Sequence, residues 1–349
     1  MEWNDNIRLA PNNTQGDFIF RPQANVLGSW AATKDSTLSF GIRLGYQKYI
    51  NNPDLDQLTV TPDSELAWDI PVKDFVFTVY DRFQDSQDVI SQGGLSGTAQ
   101  FPRIENTAGL RARWHPAEYV FELGYSHYNF FPQSSSFDYL SRAEEQFFGR
   151  AACRIAMISQ AGMEASGSLV NYDDPTRTDN RSLSIGPFID WQVIRDLRLS
   201  LRGGYVIYLS GADPKTGIKN NVGSFYIGFD ANQRLTRYIT HDLSATREIQ
   251  QGVNLGSQFT EDLTVRYSVQ YAFLRRAGFS SDFFYEHAIE PQFGVVEVYD
   301  RFGVGGGLTF QLPDHFSVGV ACHFTTKNSN FASRDYRQNV VTLNANYQF

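Results

Sequence analysis

The sequence predicts an all-β fold, a transmembrane up-and-down antiparallel barrel of about 18 strands, with 16 as the alternative count. First, the last nine residues, 341–349, alternate strictly between apolar and polar side chains and end on aromatic residues. Second, the same period-two alternation recurs along the chain in stretches longer than ten residues, whereas strands of soluble sandwiches usually have about five or six. Third, the predicted connections alternate between short and long, which is typical of membrane barrels.

The composition agrees with a barrel that is apolar outside and wet inside. Aromatic residues make up 15% of the 349 residues, yet the mean hydropathy is −0.35. No apolar run approaches the ~18 residues of a membrane helix. We therefore expect one domain over residues 1–349, because barrels of this length form a single domain.

The net charge argues against one class of partner, and the cysteine positions argue against disulfides. The net charge of −8 is spread along the chain, which argues against nucleic acid as a partner. Cys153 and Cys322 are far apart and both fall at outward positions of predicted strands, so no disulfide framework is expected. No export segment precedes Glu2, and we expect one to have been removed or to lie outside this chain.

The strands are predicted from alternation, in chain order. Residues 1–10 alternate imperfectly and predict a weak first strand, whereas residues 17–32 and 37–50 each have one apolar and one polar face. The same pattern recurs in residues 197–209, 263–273 and 316–326. The apolar faces are expected to contact outer-membrane lipid, and the aromatic residues near the strand ends to form an interfacial girdle.

The connections between these strands fall into two classes. Short turns are predicted at residues 72–74, 116–118, 159–162, 194–196, 237–238, 275–278 and 313–315. Longer polar connections are predicted at 51–57, 86–102, 132–138, 173–180, 210–221, 251–257, 286–294 and 328–337. The longest, residues 86–102, is rich in Gly, Ser and Gln and could fold inward as a constriction, but we expect it to lie outside as a loop.

Arginine and acidic residues alternate with the apolar positions and are expected to line the lumen. Neighbouring strands are consecutive in sequence, so we expect Glu122 to pair with Arg111 or Arg113, Glu164 with Arg150 or Arg154, and Asp190 with Arg198 or Arg202. Such rows of charges either orient passing solutes or only provide partners for the polar side chains of a hydrated wall. The lumen-lining residues predicted are Arg43, Arg111, Arg113, Glu122, Arg150, Arg154, Glu164, Asp190, Arg198, Arg202 and Arg266.

The sequence offers little sign of catalysis. The six histidines show no metal-site spacing, and no nucleophile elbow or paired-histidine zinc motif is present. His287, with Glu286 and Glu290 beside it, is the best candidate for a catalytic or metal site and keeps a surface hydrolase as a minor alternative. We expect no enzyme activity, cofactor or metal.

Two stretches resemble known outer-membrane barrels. The last strand, with Tyr347 and Phe349, resembles the C-terminal insertion signal of such barrels, which implies the barrel-assembly machinery as a partner. Residues 5–7 (Asp-Asn-Ile) and 17–22 (Asp-Phe-Ile-Phe-Arg-Pro) resemble the opening of the family known as β-barrel porin type 2. That resemblance implies a channel in the outer membrane of a Gram-negative bacterium.

These observations predict a porin-like protein for passive passage of hydrophilic solutes through a polar lumen of mixed charge. Two alternatives stay open. One is an exit conduit for polysaccharide, which would need periplasmic export components as partners. The other is a structural barrel within a larger outer-membrane assembly.

Overall fold

The computed structural model describes residues 1–212, 217, 219, 221–292, 294–313 and 315–349. These residues form one continuous antiparallel sheet. Its twenty ladder segments are β1 Glu2–Asn4, β2 Asp17–Phe20, β3 Gln23–Ala31, β4 Thr37–Tyr49, β5 Gln57–Val60, β6 Glu65–Val72, β7 Phe75–Ser86, β8 Arg103–Trp114, β9 Tyr119–Pro132, β10 Arg142–Ala156, β11 Ser159–Tyr172, β12 Asn180–Ile194, β13 Leu197–Ser210, β14 Val222–Arg234, β15 Ile239–Gln251, β16 Phe259–Leu274, β17 Ala277–Gln292, β18 Val295–Gln311, β19 Phe316–Ser329 and β20 Tyr336–Tyr347.

The sheet is a closed barrel of 18 strands, which confirms the predicted fold class and count. β2 and β3 are two parts of one strand interrupted at Arg21 and Pro22, and β5 and β6 are two parts of another. Proline has no N–H for the ladder, which explains the first interruption. β1 closes the ring, since Trp3 pairs with Phe18 of β2 and with Val341 of β20.

The closing strand is much shorter than predicted. β1 contains only Glu2–Asn4, and the amino group of Met1 donates a hydrogen bond to the carbonyl of Leu343. Among the described residues, β3 therefore has a ladder partner only in β4, and residues 343–347 of β20 have theirs only in β19.

The two ends of the barrel differ. One end, here called the short-turn end, carries the tight turns, several of which contain a residue with positive φ, as at Lys73, Ala117 and His315. The opposite loop end carries the longer connections. The predicted 210–221 connection lies partly outside the described residues, and the turn predicted at 159–162 lies at residues 157–158 instead.

The connection predicted at residues 286–294 is wrong. β17 continues to Gln292 and β18 begins at Val295, so this stretch is strand almost throughout. Its polarity misled the sequence reading, because Glu286 and Glu290 are buried on the inner face while Ile289 is exposed on the outer one. The alternation of a membrane strand is preserved, with acids in place of neutral residues.

The outer face carries an apolar belt. Leu123, Leu183 and Leu343 are among many large apolar side chains that are more than half exposed there. Near the short-turn end, Phe75, Trp114 and Phe121 form a row of stacked rings with centroids 5.4 Å apart. Aromatic rows at the edge of an apolar belt are typical of an interface between lipid and water.

Three short 3-10 helices, Pro53–Leu55, Ser135–Leu140 and Ala332–Arg334, lie in connections at the loop end. No helix among the described residues combines the length and the apolar character needed to cross a membrane.

Candidate functional site in the barrel interior

Residues 87–102, here called the inner loop, fold into the barrel from the loop end. Val89, Leu95 and Phe101 of this loop are buried in an apolar cluster with Phe130 of β9 and Tyr336 of β20. The expectation that this connection lies outside the barrel is therefore wrong. The three apolar side chains decide the matter, because burying them inside outweighs the flexibility of the Gly and Ser residues around them.

Side chains from opposite walls hold the inner loop. Arg301 of β18 donates from Nη1 to the carbonyl of Ile90 at 2.5 Å, and Lys327 of β19 donates from Nζ to the carbonyl of Gly94 at 3.2 Å. From the other side, Arg103 of β8 donates to the carbonyl of Asp88 at 2.8 Å. The loop thus spans the bore between β8 and β18–β19.

The anchoring cations belong to a buried ionic cluster on β17–β19. Lys327 and Glu297 are both fully buried, with Nζ and Oε1 3.2 Å apart, and Arg334 pairs with the other oxygen of Glu297. Arg301 pairs with Glu286 in the same wall. Such charges are costly to bury unless each is paired, as these are.

A second inserted segment, residues 252–258, lies beside the inner loop. Arg177 donates to the carbonyls of Gly252 at 2.7 Å and Asn254 at 3.3 Å, and also to that of Ser257. Tyr139 donates to the carbonyl of Val253 at 2.9 Å, and burial raises the pKa of its hydroxyl. These bonds fix the segment across the loop end.

A cavity of about 760 Å³ remains between the inserted segments and the wall of β8–β13. Its wall carries two hydroxyl pairs, Ser166 with Ser184 at 2.7 Å and Ser168 with Ser182 at 2.8 Å. Charged residues around it are Glu105, Arg111, Glu122, Arg142 and Glu144. The cavity is therefore lined by hydroxyls and by charges of both signs.

The arginine pair predicted for Glu122 forms in the structure. Arg111 Nε lies 3.3 Å from one carboxylate oxygen of Glu122, and Arg113 Nε lies 3.8 Å from the other. Both guanidinium groups are nearly half exposed. Arg43 pairs with Asp63, Nη1 to Oδ2, at 2.5 Å.

The ion pairs predicted for Glu164 and Asp190 do not form with the predicted arginines. Arg150 stands opposite Glu164 in the ladder, but its ion pair is with Asp190, two strands away, at 3.0 Å. Gly162 lies between them on the inner face of β11 and has no side chain in the way. Asp190 also accepts hydrogen bonds from Gln160 and Ser200, rather than an ion pair from Arg198 or Arg202.

The remaining predicted residues occupy separate places on the wall. Arg154 lies opposite Gln160, and Arg198 lies between Gln192 and Asn232. Arg202 lines a smaller cavity near β14. Arg266 lies 5.9 Å from the ring centroid of Phe284. At the end of the chain, the rings of Tyr347 and Phe349 form an edge contact at 4.9 Å.

Two further residues are His287, which the sequence suggested as a candidate site, and Lys327, which it did not. His287 lies on the outer face and bonds Asp300 at 2.9 Å, whereas Glu286 and Glu290 are buried on the inner face, so the three do not converge. No group of metal-ligating residues occurs in the described part of the chain. The anchoring role of Lys327 was missed, and its only sequence sign is a cation inside a strand just before a loop.

The comparisons with known proteins concern the fold. No family model and no curated protein matches the sequence. Solved structures do match. The ferric citrate transporter FecA in its unliganded form is 10% identical with a TM-score of 0.54, and the match covers 100% of this chain but 63% of that one. This chain therefore spans less than two thirds of that transporter.

Two Pseudomonas aeruginosa proteins match over nearly their whole length. OccK2 (OpdF), solved in complex with glucuronate, is 10% identical, and OccK5 (OpdH) is 13% identical. Both have a TM-score of 0.51, and each match covers 99% of this chain and 94% of the other. At these identities the likeness shows the fold, a closed barrel of the kind found in outer-membrane porins and transporters.

Proposed function

We propose that this barrel lies in the outer membrane of a Gram-negative bacterium and lets small hydrophilic solutes pass without an energy source. The exposed apolar belt and its aromatic rows would face lipid. The short-turn end, where the C-terminal strand finishes, would face the periplasm. In this proposal the barrel-assembly machinery recognises the terminal Tyr347 and Phe349.

The observation that carries the proposal is the cavity beside the inner loop. It lies between an inserted apolar cluster and a wall of serine hydroxyls and paired charges. Charged rings and polar walls govern which solutes pass in channels, because they replace part of a solute's hydration shell. Arg111 on this wall pairs with Glu122 and still has nearly half of its side-chain surface exposed to a passing solute.

The same geometry favours small solutes over a polymer. The inner loop is pinned to both walls by Arg103, Arg301 and Lys327, so a polysaccharide chain would need these bonds to break before it could pass. The export-conduit alternative therefore requires a mobile inner loop, whereas the proposed membership of the β-barrel porin type 2 family requires only a channel. A structural barrel would require no passage at all.

Liposome swelling tests the proposal. Proteoliposomes containing the folded barrel are placed in isosmotic solutions of neutral and carboxylated mono-, di- and oligosaccharides. We expect rapid swelling with monosaccharides and a steep fall with chain length. Equal rates for monomers and long oligomers would favour the conduit, and no swelling beyond that of empty liposomes would overturn the channel.

A further inference from the structure

The barrel wall is split between β14 and β15 at the loop end. Their shared ladder runs from Arg234 opposite Thr240 up to Ile227 opposite Arg247, and among the described residues it ends there. Both strands continue beyond that point. β14 keeps its ladder with β13 up to Val222, and β15 keeps its ladder with β16 up to Gln251.

One side chain bridges the split. Arg247 Nη1 donates to the carbonyl of Phe225 at 2.5 Å and to the hydroxyl of Ser224 at 3.0 Å, both on β14. Its Nη2 bonds Glu261 of β16 at 2.5 Å. The guanidinium thus replaces part of the missing backbone ladder. An unpaired strand edge is not tolerated in hydrocarbon unless it borders a polar or water-filled space.

A cavity of about 250 Å³ lies at this split. It is lined by Ser184 and Arg202 from the inner face of β12 and β13. It is also lined by Ile227, Arg247 and Ile249, whose positions in the ladders are outward. Among the described residues the β14–β15 ladder is missing here, so side chains rather than paired backbone separate the lumen from the side of the barrel at this cavity.

The inner approach to the split combines apolar and hydroxyl side chains. A single ladder row leads across the wall from Phe148 through Ser166, Ser184 and Val206 to Ser224. Phe148 and Val206 break the polar character of the inner face. On the outer side, Phe225 and Ile227 flank the split and are 56% and 44% exposed.

We infer that the split is a lateral opening for a single-chain amphiphile, with Arg247 as its latch. The polar head group is held inside by the serine row and Arg202, and the tail leaves between Ile227 and Ile249 into the surrounding lipid. Membrane lipid is the one phase beside that outer mouth, so an amphiphile fits and a wholly hydrophilic solute does not. This rests on the proposed membrane location but not on solute passage.

A thiol-reactive amphiphile tests the opening in barrels reconstituted into phosphatidylcholine nanodiscs. Cys153 and Cys322 are first replaced by serine, because both are free thiols. A reporter, Ser184→Cys, then lies on the serine row, and Thr107→Cys on the inner face of β8 is its matched control. Each is treated with N-dodecylmaleimide and, separately, with N-ethylmaleimide.

The ratio of the dodecyl rate to the ethyl rate removes differences in thiol reactivity. We expect this ratio to be about tenfold higher at residue 184 than at residue 107. A tenfold ratio corresponds to a difference of ~1.4 kcal/mol in the free energy of reaching the two thiols from the lipid. Equal ratios at the two residues would overturn the lateral opening. Swelling can fail independently, since it follows only the path along the bore.

Two changes at the split test whether the high ratio depends on the split itself. Phe225→Cys with Ile249→Cys, oxidised to a disulfide, would join the next outward pair above the ladder and should abolish the high ratio until reduced. Arg247→Ala should raise the ratio further, whereas Arg181→Ala, an outward arginine on β12, should leave it unchanged. A ratio unaffected by the disulfide would also overturn the inference.

Discussion

The residues that most constrain this barrel are buried charges. Lys327 and Glu297 lie within strands and have no exposed side-chain surface, yet Nζ and Oε1 are 3.2 Å apart and Ser329 and Arg334 also bond Glu297. The inner loop helps to cover these charges, since Lys327 donates to the carbonyl of its Gly94. They therefore report directly on whether the inner loop is in place.

Removing the buried cation should destabilise the barrel strongly. Lys327→Met leaves Glu297 buried with one cation fewer and leaves the carbonyl of Gly94 with Asn254 as its remaining donor, so we expect a loss of about 3 kcal/mol in the free energy of unfolding. Urea unfolding in detergent micelles, followed by tryptophan fluorescence, measures it.

The control for this change is an exposed ion pair on the same inner face. Arg82 pairs with Glu65, and their side chains are 49% and 35% exposed. Arg82→Met should cost less than about 1 kcal/mol because exposed pairs contribute little. Equal losses for the two variants would show that the Lys327 cluster is not buried in the folded protein.

At the scale of elements, the inner loop depends on Gly93, which passes close to the wall. A Cβ on Gly93 would collide with the carboxylate of Glu286 and approach the hydroxyl of Tyr299 at 2.9 Å. Because Glu286 is held in place by Tyr299 and Arg301, a larger residue at position 93 should push the loop away from β17 and β18. The close approach of Gly93 thus fixes where the loop lies against β17 and β18, while its apolar side chains hold it inside the barrel.

Displacing the inner loop should widen the channel. Gly93→Val is expected to raise the single-channel conductance about twofold and to make it fluctuate, because the loop loses its fixed seat in the bore. Ser96→Ala, in the same loop, is the control and should conduct like the unchanged protein. An unchanged conductance in Gly93→Val would mean that the loop does not limit ion flow.

The two faces of the strands should respond in opposite ways to a charge. Leu123 of β9 is 66% exposed on the outer face, and Leu123→Arg should cost about 2–4 kcal/mol in the free energy of folding into lipid. Ser166→Arg places the same side chain in the wet cavity and should cost far less. Folding into liposomes, titrated with urea, distinguishes them. Equal costs would reverse the assignment of the faces.

At the scale of the whole molecule, the period-two alternation was enough to predict the barrel and its 18 strands. The alternation predicts which face of the wall a side chain occupies, but not which side chain on another strand it contacts. The ion pair between Arg150 and Asp190 crosses β11 on a diagonal past Gly162, and no local sequence pattern predicts a contact between strands that are two apart.

The loops were the least predictable part for the same physical reason. Residues 86–102 were expected to form an outer loop because connections usually run over the surface of a protein. The buried Val89, Leu95 and Phe101 find their partners on β9 and β20, far away in sequence. Residues 286–292 read as a loop because acids that pair across the wall look like solvent-exposed charges.

Single-channel recording in a planar bilayer tests the central claim most directly. The purified barrel, shown to be folded by its heat-dependent gel mobility, is added to the bilayer, and neutral and charged oligosaccharides are then tested as blockers. An aqueous path beside the inner loop predicts steady conductance that sugars block in a size-dependent way. A folded barrel that inserts and conducts nothing would contradict it, because the cavity would then not reach both ends of the bore.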